Sequence, residues 1–166
     1  YVHESKDYRY NFGVTPDFWR WDITYAEALQ AIEKYETGHK MKTNEFNRWY
    51  ELSIVFDKED QLQQTKKAMK FIDTTLMAIR DLWSLINSIR GEYDEVSQEL
   101  WDELDPEAME AQSKRMVKTV RKMPRDVRGH DAFDGIADLA KNYMTVVPLI
   151  AAILHPSMRP RHWDQM

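Results

Sequence analysis

No cysteine occurs in this 166-residue chain, which excludes a disulfide framework and any thiolate metal site. Glycine is nearly as scarce: Gly13, Gly38, Gly91, Gly129 and Gly135 are the full set, and none is followed by lysine. A P-loop needs a glycine-rich turn ending in Gly-Lys-Ser/Thr, so that backbone N–H groups wrap phosphate. No such cradle is present, and neither a bound nucleotide nor any other cofactor is expected in this chain. Excess positive charge is missing as well. Lys and Arg number 23 against 28 Asp and Glu, and the net charge of −5 argues against a nucleic-acid partner. Long apolar runs are absent too: the best, Val146–Leu154, falls far short of the roughly 18–20 residues of a membrane span, so no membrane partner is expected.

The composition that remains, 43% apolar and 31% charged, suits a helix-rich domain with a real core. Residues 1–24 stand apart from the rest. Tyr1, Tyr8, Tyr10, Phe12, Phe18, Trp19 and Trp21 crowd a segment that also holds Gly13 and Pro16. Tyr8, Tyr10 and Phe12 alternate at the strand period, but Gly13 and Pro16 punctuate too soon for a strand. The segment reads as an irregular, extended arm that lays its aromatics onto a helical bundle of residues 25–166.

From Tyr25 onward the apolar period is helical. Ala28, Leu29, Ile32 and Tyr35 share a face, with Gly38 predicted as a C-cap. Thr43 would cap a second helix carrying Phe46, Trp49, Tyr50 and Ile54 inward. A long helix follows, predicted over about 60–103 and about 65 Å in length. Its seam is Met69, Ile72, Leu76, Ile79, Trp83 and Ile86, and the same phase reaches Tyr93, Leu100 and Leu104 while placing Arg90 and Ser97 on the seam. Gly91 is its weak point, costing about 1 kcal/mol relative to Ala. Asp105-Pro106-Glu107 then starts a helix with an Asp cap, a first-turn proline and an acid at the positive dipole end. Met109, Met116, Val120 and Met123 form its apolar row, closed by Pro124. A last helix runs from Asp131, and Pro148 is expected to break or kink it before Leu149 and Ile150. The fold class is therefore all-α: an elongated bundle of long antiparallel helices with an aromatic-rich irregular N-terminal arm.

Chemistry-bearing patterns are few. Glu36-Thr37-Gly38-His39 has the Glu-x-x-His spacing of di-iron bundles, but one copy cannot build such a site, which needs two. No metal ligand and no catalytic residue is assigned. Nine acids and no base lie between Glu92 and Glu110, and seven bases against Asp126 alone lie between Lys114 and Arg128. The arrangement predicts an acidic helix end facing a basic one across an antiparallel pair, rather than a nucleic-acid surface, since the basic run has no interleaved aromatics. The chain opens on Tyr1 and stops at Met166 within what reads as the start of a helix at Pro160. Both ends are expected to be cuts in a longer polypeptide.

Toward the carboxyl end the residues become distinctive. Val147-Pro148-Leu149-Ile150-Ala151-Ala152-Ile153-Leu154-His155-Pro156, followed by Arg161-His162-Trp163, resembles the N-terminal region of dynein heavy chains leading into the linker. Val147 stands for the usual Leu and His155-Pro156 for the commoner Asn-Pro. Leu82-Trp83, then Leu100-Trp101, then Leu104-Asp105-Pro106-Glu107-Ala108-Met109 is similar to the family's order of features, with an axonemal cast. The resemblance covers roughly residues 67–166. It implies structural roles for Trp83, Leu100, Trp101, Pro148, Leu149, Arg161, His162 and Trp163. It further implies a segment with no catalytic site of its own, set in a microtubule motor of the ciliary or flagellar axoneme. ATP and Mg would be bound by an AAA+ ring elsewhere in the parent chain. Its partners would be that ring and the rest of the heavy chain, other heavy, intermediate or light chains, and microtubules reached through the parent. The competing reading is a stand-alone helical-bundle adaptor or scaffold for another cytoskeletal protein.

Overall fold

A computed structural model describes residues 2–99 and 103–155 of the chain. Five α-helices occur among them: α1 (Val2–Val14), α2 (Tyr25–Val55), α3 (Gln63–Gln98), α4 (Pro106–Arg121) and α5 (Asp131–Leu154). Short 3-10 turns at Asp17–Trp19, Glu59–Leu62 and Arg125–Val127 link them. The all-α reading holds, and so does the placing of an aromatic cluster near the N-terminus.

The extended geometry expected of the first residues is wrong for residues 2–14, which are helical. Tyr8 and Phe12 are spaced i, i+4 and both pack inward, while Tyr10 between them is 70% exposed. The helical spacing therefore outweighs the apparent alternation. Pro16, at φ −69° and ψ 135°, then turns the chain into the buried pair Phe18 and Trp19.

Two further breaks predicted from single residues do not occur. α2 runs unbroken through Gly38 and Thr43 for 31 residues. Gly38 is exposed and helical, and its cost of about 1 kcal/mol is small beside the packing of Tyr35 and His39 on either side. The helix is started instead by a capping box in which Thr24 and Glu27 satisfy each other's orphan groups, a bond that also holds the Glu27 carboxyl below its ordinary range. α5 likewise continues through Pro148. Pro148 lies on the exposed side, so the Met144 carbonyl that loses its usual partner is open to hydration.

α3 is shorter than expected, 36 residues or about 54 Å, because Glu99 adopts an extended conformation. Its seam is as read: Met69, Ile72, Leu76, Ile79, Trp83 and Ile86 are all buried, joined by Leu82 and Ile89. The continuation fails at Tyr93, which is 42% exposed. Leu104 is partly buried but lies beyond the helix. α4 opens on Asp105, whose carboxylate accepts from the amides of Glu107 and Ala108, with Pro106 in the first turn. α4 packs along α5, α2 pairs with α3, and α1 lies against α3. By length and composition α5 alone among the described helices is apolar enough to cross a membrane, with a mean hydropathy of 1.3 over an 18-residue window. That apolarity was not expected from the run Val146–Leu154 alone. In this fold the helix spends one face, Ala132, Ile136, Ala140, Tyr143 and Val147, on the shared core.

Candidate functional site

The segment 15–24 is a strap that ties α3 to the start of α5. Aromatic burial seats it first: Phe12, Phe18 and Trp19 meet one another with ring centroids 5.4–6.0 Å apart. Two indole N–H groups then satisfy carbonyls that the last turn of α1 and the turn after it would otherwise leave orphaned. Trp19 Nε1 donates to the Phe12 carbonyl at 2.7 Å, and Trp83 Nε1 on α3 donates to the Phe18 carbonyl at 2.8 Å.

Arg90 holds the next stretch. Its guanidinium donates to the carbonyls of Trp21 (2.9 Å) and Ile23 (3.2 Å), and its Cζ lies 4.0 Å from the centre of the Trp21 ring. Burial pulls the Arg90 pKa down from its ordinary value, partly opposed by Asp94. On the other side of the strap, the Trp21 amide donates to the Asp131 carboxylate at 2.7 Å. Trp19 stacks on His130 at 3.5 Å between centroids and 12° between planes. Glycine at 135 is required by this approach: a Cβ there would lie 2.1 Å from Cδ2 of Trp21.

Of the residues singled out in the sequence, Trp83 is fully buried and is a principal anchor of the strap. Pro148 lies within α5 on its exposed side, and Leu149 is 61% exposed. Leu100, Trp101, Arg161, His162 and Trp163 fall outside the described residues. The structure also gives a role to residues that the sequence reading did not single out for a site, Arg90, Trp21, His130, Asp131 and Gly135. Arg90 had left a trace, as a charge on an otherwise apolar seam.

The other polar groups are engaged structurally. Glu36 of the Glu-x-x-His pair is held by Arg80 through two bonds of 2.7 and 2.8 Å, which keep its carboxyl below the usual range. His39 is buried between Tyr8, whose hydroxyl lies 3.0 Å from Nδ1, and Asp73, whose carboxylate lies 2.9 Å from Nε2 but off the line of a good hydrogen bond. These contacts fix α1 on the α2–α3 pair. Among the described residues no group of three or more His, Asp or Glu is placed to hold a metal ion. The acidic and basic runs meet across helices at Glu92, which accepts from Arg115 (2.7 Å) and Gln112 (2.9 Å). Gln112 in turn accepts from Tyr143 at 3.0 Å, so α3, α4 and α5 share one polar chain. Lys114 pairs with Glu110 inside α4, and Arg128 caps the end of that helix through the carbonyls of Arg121 and Met123.

This arrangement joins helices across the bundle. The family model described as "Dynein heavy chain, N-terminal region 2" matches residues 69–166. The chain belongs to the dynein heavy chain family. It is similar to the flagellar outer-arm dynein alpha chain of Chlamydomonas reinhardtii, 31% identical over 122 residues, 74% of this chain and 3% of that protein. It also resembles the ciliary dynein beta chain of Heliocidaris crassispina, 28% identical over 60% of this chain and 2% of that protein. A third relative is axonemal heavy chain 11 of Sus scrofa, 24% identical over 84% of this chain and 3% of that protein. The chain thus spans 2–3% of the length of these relatives. It is a structural piece of the heavy chain's tail region.

In this heavy-chain segment the strap carries a pH dependence. Burial beside Trp19 holds His130 below the ordinary imidazole value, with Asp134 opposing. The unfolded chain therefore binds the proton more readily. The stabilisation is fully present above the unfolded value of about 6.5 and is lost as pH falls below it. Thermal melts at a pH above and a pH below that value should show a larger loss for the wild type than for His130→Phe, which keeps a ring on Trp19. Equal losses would remove His130 from the account.

Proposed function

We propose that this segment is the entry piece of the heavy chain's mechanical lever, passing movement between the tail and the linker of an ATP-driven axonemal motor. The observation that carries the reading is the strap: Trp83 and Arg90 of α3 hold it on one side, and His130, Asp131 and Gly135 hold it on the other. A bundle whose hairpins are tied by a strap seated on the buried Phe18 and Trp19 moves as one body, and a stiff body transmits a displacement over its full length. In this reading residues 1–24 are the tie and residues 25–166 the bar. Arg161-His162-Trp163, beyond the described residues, would be the joint to the part of the heavy chain that follows. The parent chain would bind ATP and Mg in its ring, work on microtubules in the axoneme, and assemble with other dynein chains.

Trp163→Ala and Trp21→Ala in the full motor test the proposal through gliding velocity and ATPase rate measured on one preparation. Velocity should fall while basal ATPase is largely kept. Equal losses in both, or no loss in either, would show that the segment does not transmit force.

A further inference from the structure

The bases between Lys114 and Arg128 were expected to face the acidic run across an antiparallel pair. That facing is met where Arg115 reaches Glu92, while Lys114 is held by Glu110 within α4 itself. Lys118, Arg121 and Lys122 have no carboxylate partner among the described residues. Their side chains are not needed to close the helix either. The last carbonyls of α4 accept from the Lys122 amide, and the Arg128 guanidinium takes those of Arg121 and Met123. Three exposed cations thus stand together at the end of α4, in a chain whose net charge is −5.

They do not stand on a flat, hydrated face. Lys118, with Arg121 and Lys122 three and four residues on, rims a groove of about 380 Å³ between α4 and α5, which Lys114, Val117 and Met144 complete. Val117 is half-buried and Met144 is 37% exposed, so the floor of the groove is apolar and open. Lys141, exposed and one turn before Met144 on α5, adds positive charge on the same side. None of the described residues lining the groove is acidic.

Rim and floor together select the occupant. A cationic rim calls for negative charge. The apolar floor gives nothing to a hydrated phosphate, but it favours a side chain that gains by leaving water. A nucleic acid would stack its bases on aromatic rings, and no aromatic lines the groove. A peptide with carboxylates around one apolar side chain meets both demands. Its carboxylates lie about 6–7 Å apart when one helical turn or two extended residues separate them, against about 6 Å of rise from Lys118 to Lys122.

We propose that the α4–α5 groove is a docking site for an acidic peptide, whose carboxylates pair with Lys118, Arg121 and Lys122 while one apolar side chain lies on Val117 and Met144. The site gives this segment a surface for the assembly with other chains proposed above. Its binding is read apart from movement, so the inference can fail while the lever reading stands, and the reverse.

The probe is a labelled peptide of alternating glutamate and serine with p-benzoylphenylalanine at its centre, mixed with the intact heavy chain and illuminated. Mass spectrometry should place a cross-link in the groove, at or beside Val117 or Met144. Lys118→Glu combined with Arg121→Glu should cut the yield there about tenfold, since two exposed pairs are lost and turned repulsive. Lys40→Glu combined with Lys67→Glu, exposed on α2 and α3, changes the net charge equally and should keep the yield within about twofold. An unlabelled peptide with leucine at its centre should displace the probe at about a fifth of the concentration needed by one with serine. No cross-link in the groove of the folded wild type, equal losses in the two double variants, or equal displacement by the two peptides would overturn the proposal. So would tighter competition from a single-stranded oligonucleotide or from phosphatidylserine vesicles than from the leucine peptide, which would make the groove a phosphate-binding surface.

Discussion

Trp83→Ala is expected to lower the stability of this bundle by about 3–5 kcal/mol. Trp83 has no exposed surface, lies at the middle of the α3 seam, and is packed among Leu82, Ile79 and Ile86 with the strap above it. Two losses combine. Removal of the indole leaves a cavity that a helix pair of this length cannot close by collapse. The Phe18 carbonyl also loses the donor it meets at 2.8 Å, and it has no water to turn to. Trp83→Phe separates the two: most of the volume is kept and only the bond is lost, for about 1–3 kcal/mol. Urea titrations of both variants provide the check, with a shifted midpoint and an unchanged slope marking a change of stability alone. A loss below about 1 kcal/mol for the alanine variant would mean that Trp83 is not in the core.

Trp83 also shows how far the sequence could be read. Its burial was legible because six apolar residues in alternating steps of three and four leave one face of a helix, and every one of those six is buried. The Asp105-Pro106 start of α4 was legible for a similar reason, since a cap and a first-turn proline act locally. What failed were the inferences that a local signal must win. Gly38 and Pro148 each disfavour a helix by an amount set by the backbone alone, and packing on both sides of them exceeds it. Ile54 carried a helical period but remains half exposed, because periodicity tells which residues share a face and not how deeply that face is buried. The strap was the hardest part. Its aromatics were plain in the sequence, and their docking onto a bundle was expected. Its partners lie about 65 to 115 residues away, and no spacing rule joins Trp21 to Arg90 or Asp131.

Arg90→Met is expected to release that strap while leaving the α2–α3 core in place. Methionine keeps an unbranched apolar stem on the seam but removes both donors to the carbonyls of Trp21 and Ile23, together with the cation over the Trp21 ring. Bonds from a charged donor contribute about 1.5–3 kcal/mol and a partly desolvated cation–π contact about 0.5–2, so a local loss of about 2–5 kcal/mol follows. At 1.4 kcal/mol per tenfold, hydrogen exchange at the strap amides, that of Trp21 on Asp131 above all, should quicken roughly 30- to 4,000-fold. Exchange in α3 around Ile79 and Leu82 should change far less, because those amides open with the core. Arg90→Lys discriminates between a fork and a charge. A single ammonium cannot reach two carbonyls two residues apart and lie flat on an indole at once, so lysine should restore only a small part of the protection. If lysine protects the strap as well as arginine does, charge alone holds it and the two-pronged geometry is incidental. If Arg90→Met leaves Trp21 exchange unchanged, the strap is fastened by Trp83 and Asp131 without α3's arginine. The coupling between the two halves of the bundle then runs through the Phe18–Trp83 bond.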